Sequence, residues 1–283
     1  MERPFTRRLV FVSSLLLTAI VAATAVAQEQ EKKTLAIFDI TPTDAVAQRA
    51  QKDGKGNELA QIIQSLDPQL IDRMHNTRKF TIMAHSDLAA IIGGAAFNTD
   101  ALKKMPNMDY GLVAKLDSFQ DSVGVAENNI AWRNVQFSIH AEIYKTSSGT
   151  VLETANFQGR CNLPTISATT VGSEATDKAL NDATRKMANE IANRVAYVLY
   201  PAKVIDVTGK QVTVDWGDGL FITKGETWDV FKKKTNGAEI PVGAIRVTRV
   251  LPENSTAEIV GEDLGIAEGC IARKAEDIAQ KAR

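Results

Sequence analysis

NVQFSIHAEIY, residues 134–144, is the stretch on which the fold turns. Val135, Phe137, Ile139, Ala141 and Ile143 fall on one side, and Gln136, Ser138, His140, Glu142 and Tyr144 on the other. Successive side chains of a strand point to opposite faces, so this alternation predicts a strand with one face in the core and one in water. Ser147-Ser148-Gly149 is a turn, and residues 151–160 return as the hairpin partner. Ahead of them, MDYGLVAKLDSF (residues 108–119) is another β-rich run.

Further out, the period changes. TLAIFDI (residues 34–40) is apolar on both faces, as in a buried central strand, and Pro42 is expected to end it. Residues 43–55 are polar with Gly54 and read as a loop that continues to Gly56. From Asn57 on, Leu59, Ile62, Ile63, Leu66, Leu70 and Met74 recur at helical spacing, with Pro68 inside. KFTIMA (residues 79–84) is a strand. Ser86 caps a short helix over residues 88–92, which Gly93-Gly94 ends. Residues 174–199 form a long helix, and Pro201 follows it. The order predicts an α/β (α+β) domain over residues 34–200, a mixed sheet covered by helices.

Residues 201–274 lose helical periodicity. Short β-rich runs at 203–207, 211–215, 227–231, 242–251, 257–260 and 270–274 alternate with turn residues, which predicts a small all-β barrel or sandwich. Asn236-Gly237 is a strong hairpin signal. Asp215-Trp216-Gly217-Asp218-Gly219 lacks the ligand alternation of a calcium loop and reads as a hairpin turn. Residues 275–283 are a charged tail. Tyr197, Tyr200 and Pro201 are expected at a firm seam between the domains, because no Gly- or Ser-rich linker separates them.

Composition narrows the function. The chain of 283 residues is 44% hydrophobic and 24% charged, ordinary values for a globular protein. A formal charge of −1 without a basic stripe argues against a nucleic-acid partner. Arg3, Arg7 and Arg8 precede an apolar run and then Ala25-Val26-Ala27, the order of a secretory signal peptide over residues 1–27, cleaved after Ala27. A retained anchor is the competing reading. Loss of residues 1–27 leaves a polar segment at 28–33 and a chain of 30 basic and 33 acidic residues. The expected location is periplasmic, with outer-membrane association as the variant. Export permits a disulfide between Cys161 and Cys270, and two separate buried thiols are the alternative.

No catalytic, cofactor or metal constellation emerges. His75, His85 and His140 match no metal spacing, and Asp53-Gly54-Lys55-Gly56-Asn57 lacks the ending that cradles phosphate. Trp132, Trp216 and Trp228 read as core or interface residues. The chain is therefore expected not to be an enzyme, and an envelope hydrolase is the weakest alternative.

The segments RKFTIM (residues 78–83), SDLAAI (86–91) and NMDYGLVAKL (107–116) together resemble the CsgG-like family, which includes the curli-secretion protein CsgG, the peptidoglycan-synthase activator LpoB and the flagellar protein FlgT. Residues 217–226 and 242–247 resemble the C-terminal β domain of FlgT. His85 stands where the family has Arg, Lys115 where it has Gly, and no lipid-anchor cysteine precedes the first strand. The resemblance implies envelope work by protein contact: an accessory protein that binds an envelope protein or assembly, as a monomer or a homo-oligomer. Contact is expected at exposed sheet edges and at the turns around Trp216 and Trp228. The alternative is a secretion pore. Its membrane hairpins would have to come from residues 121–130 and 162–172, which are short and polar.

Overall fold

The computed structural model describes residues 32–84, 105, 107–125, 131–165, 173–220 and 222–274. The expected signal peptide, the short helix expected at 88–92, His85 and the tail at 275–283 lie outside these residues. The chain runs β1 (Lys33–Ile37), β2 (Thr41–Pro42), α1 (Asp44–Lys52), α2 (Gly56–Asn76), β3 (Phe80–Ala84), β4 (Tyr110–Val125), β5 (Ala131–Lys145), β6 (Thr150–Thr165) and α3 (Ser173–Leu199). The second half supplies β7 (Ala202–Thr208), β8 (Gln211–Val214), β9 (Thr227–Lys233), β10 (Glu239–Val250), β11 (Ser255–Val260) and β12 (Ile271–Lys274).

The first sheet is mixed, in the order β3-β1-β4-β5-β6. β1 is parallel to both β3 and β4, whereas β4, β5 and β6 are antiparallel. Parallel neighbours on both sides make β1 central, and its residues divide between two cores. Leu35 and Ile37 join the main core with α2 and α3, while Ala36 and Phe38 pack with Met105, Val113 and Tyr144 on the opposite face. Leu59, Ile62, Leu66, Leu70 and Met74 are the buried stripe of α2. Pro42 does not end the pairing. Thr41 and Pro42 continue beside β4, opposite Lys115 and Leu116. Residues 44–52, read as loop, are helical. Only Val46 and Ala50 face the core in α1, one turn apart and too few to show a period.

The second sheet closes into a six-stranded antiparallel barrel, β10-β11-β8-β7-β12-β9. Pro241 fits inside β10 because the register shifts there, between Pro241 and Gly243. At the β9–β10 turn only Gly237 has positive φ, 84°, and Asn236 instead accepts a hydrogen bond from the Ala238 N–H through its side chain at 3.1 Å. Residues 215–219 are not a hairpin turn. They enter a 3-10 turn, Asp218–Leu220, that leans on the end of α2.

Barrel and sheet share one core, and residues Lys32–Arg283 form one compact unit. Tyr200 packs edge-on against Phe80 at 5.2 Å. Its hydroxyl accepts a hydrogen bond from the Lys33 N–H at 2.8 Å. Its carbonyl accepts one from the Trp216 indole at 2.9 Å. Lys79 reaches the Asp215 carbonyl at 2.8 Å. The approach needs a glycine, since a Cβ at Gly219 would lie 2.1 Å from the Asn76 carbonyl oxygen. Backbone cannot give way cheaply, so Gly219→Ala is expected to destabilise the fold by about 1–3 kcal/mol in urea unfolding. An unchanged midpoint would mean that the barrel does not rest on α2.

Candidate interaction surface

Strands β4, β5 and β6 run past the end expected for them. They pair from Tyr110↔Lys145 out to Val125↔Ala131, and from Lys145↔Thr150 out to Ala131↔Thr165. In this extension the helix side of the sheet carries Asp121 and Arg133. Arg133 holds the Asp121 carboxylate with two hydrogen bonds, at 2.8 and 2.7 Å. Lys55 adds a third contact at 2.9 Å, and the Asp121 side chain has no solvent exposure. Glu58 stands 3.4 Å from Lys55 and 3.8 Å from Arg133. Burial pushes the Asp121 carboxyl up, but the hydrogen bonds from Arg133 and Lys55 outweigh it and hold the group below its ordinary value.

The glycine-bearing segment around Lys55 therefore has a structural role. Gly54, at φ 68°, ends α1, and Gly56 opens α2. Lys55 between them pins the far end of the sheet. The hairpin signal that could have revealed the longer strands is the polar run Glu127-Asn128-Asn129 between two β-rich segments. Among the described residues no helix is long and apolar enough to cross a membrane.

Over the outer ends of β4, β5 and β6 the face away from α2 and α3 is polar. Ser118, Ser138 and Gln158 lie in register across the three strands. Gln120, Gln136 and Arg160 form the next row, and Ser122, Asn134 and Asn162 the one beyond. Trp132 closes the series, 42% exposed, with its indole lying across Gly124. At the near end His140 meets the Asn156 amide oxygen through Nδ1 at 2.7 Å, and its Nε2 lies 3.7 Å from Glu142.

The other residues singled out in the sequence are scattered. His75 is exposed near the end of α2. Trp216 and Trp228 are buried in the barrel, 5% and 3% exposed, so the turns around them offer no indole to a partner. Cys161 and Cys270 do not pair. Cys161 sits in β6 near Arg133, Cys270 precedes β12 in the barrel, and both thiols are buried and free. Burial pushes the Cys161 thiol up. No group of three or more metal-binding side chains occurs among the described residues. A crevice of about 190 Å³, counted to its open mouth, lies between the sheet and α3. It is lined by Leu112, Ile143, Phe157 and Ile191, with Glu153 paired to Arg194 beside them.

No known protein family matches the chain, and no curated protein matches it. Among solved structures, protein XCC0632 from Xanthomonas campestris is similar at 10% identity, over 59% of this chain and 85% of that one, with a TM-score of 0.36. A minor lipoprotein from Acinetobacter baumannii is 10% identical over 58% and 90%, with a TM-score of 0.33. Lipoprotein GNA1162 from Neisseria meningitidis is 11% identical over 57% and 99%, with a TM-score of 0.32. At these identities and TM-scores the likenesses assign no activity to this chain. The class defined by its own coordinates is a helix-covered mixed sheet joined to a closed barrel, with one long strand edge and one polar face exposed.

Proposed function

We propose that the chain is an exported, non-enzymatic protein of the bacterial cell envelope that binds another envelope protein along the edge of β6. The observation that carries this reading is the edge itself. β6 ends the sheet, is 16 residues long, and has no strand on its outer side among the described residues. Such an edge presents unpaired backbone groups, and proteins without a use for one usually shorten or cover it. An extended segment of a partner can add to it as a further strand. Val151 and Leu152, 45% and 43% exposed at its start, provide apolar anchorage. The signal-peptide order of residues 1–27 and the resemblance to the CsgG-like family support a periplasmic location and work by protein contact.

A photo-crosslinking side chain placed at Val151 or at Thr154 in the living cell tests this. A discrete adduct from both positions is expected, and none from Lys210 in the β7–β8 turn of the barrel. Adducts from Lys210 alone, or from no position, would contradict binding at the β6 edge.

A further inference from the structure

We propose that the polar face of β4, β5 and β6 binds a linear glycan, with one sugar ring stacked on Trp132. Its side chains point to this ligand class. Gln120, Gln136, Ser122, Asn134 and Asn162 are neutral and offer both donors and acceptors, as sugar hydroxyls do. Their rows are in register across three strands, which gives a continuous polar surface long enough for several sugar units. A protein interface of this size would be centred on buried apolar or aromatic residues and depleted of serine. Here the large apolar group stands at the end of the rows, not in their middle. A nucleic acid would need a basic stripe, whereas Arg160 is the single cation in these two rows.

One detail strengthens the assignment. The Trp132 indole lies so close over Gly124 that a Cβ there would meet the ring at 2.3 Å. One ring face is thus backed by the strand, and the side chain remains 42% exposed. An aromatic plane fixed in this way is suited to stacking on the C–H face of a pyranose.

The source is the N-acetylated glycan of the bacterial wall, a choice that rests on the exported location proposed above. The full exported protein, purified, should co-sediment with wall sacculi and bind a tetramer of N-acetylglucosamine. Trp216 and Trp228 are buried, so the fluorescence change on binding should arise from Trp132. Trp132→Ala is expected to weaken binding about tenfold while leaving the far-UV spectrum and unfolding midpoint unchanged. Gln136→Ala should weaken it less. Absence of binding, equal binding to dextran, or full binding by Trp132→Ala would overturn the proposal. The assay uses no partner protein, so its failure leaves the β6 edge to be judged by the crosslinks alone.

Discussion

Trp216→Ala is expected to lower the free energy of unfolding by about 3–5 kcal/mol, the largest loss from any single side chain at the junction. The indole fills the space between two structures. It packs edge-on against Tyr197 of α3 at 6.4 Å and against Trp228 of the barrel at 5.6 Å. It also donates to the Tyr200 carbonyl at 2.9 Å, a group left without that donor in the variant. Removal leaves a cavity that backbone on both sides cannot collapse into. Urea unfolding followed by far-UV circular dichroism measures the loss. A change below about 1 kcal/mol would show that the junction is held elsewhere.

Asp121→Asn should cost about 3 kcal/mol at neutral pH, because it leaves the Arg133 guanidinium without its carboxylate in a nearly enclosed site. Lys55 still reaches water, which keeps the cost at the low end of the range for a broken buried pair. The pH dependence has a definite sign. The folded Asp121 carboxyl is depressed, so its stabilisation is whole above the ordinary aspartate value of about 3.9 and is lost as pH falls through the lower folded value. The gap between the native protein and Asp121→Asn should therefore be constant from pH 7 to about 5 and close in more acid solution. Unfolding midpoints at pH 7, 5 and 3 test it. A gap that widens towards acid would contradict the assignment of Asp121 as a held carboxylate.

Much of this fold is legible from side-chain period. The strand at residues 134–144 alternates because one face meets the helices, and α2 and α3 show their stripes because each covers several strands. The barrel is legible from its turns. α1 is not, since it buries only Val46 and Ala50. Nor are the outer ends of β4, β5 and β6. There the Asp121–Arg133 pair interrupts the apolar side and amides line the other, so the alternation is harder to read while the pairing continues. The proposed glycan face lies in that stretch, whereas the sequence alone placed contact at the turns around Trp216 and Trp228 and read all three tryptophans as core or interface residues. Burial is what separates the three tryptophans: Trp216 and Trp228 are buried, and Trp132 is 42% exposed.

The segment from Trp216 to Leu220 packs the barrel onto the end of α2. A partner at the β6 edge and a glycan on the adjoining face would meet one rigid body, not two tethered modules. The most direct test is limited proteolysis of the purified protein. Resistance to cutting between Tyr200 and Asp206 is the expected result, because Tyr200 is locked by Phe80, Lys33 and Trp216 and β7 begins at once with Ala202. Rapid cleavage there, releasing a stable sheet fragment and a stable barrel fragment, would contradict a shared core.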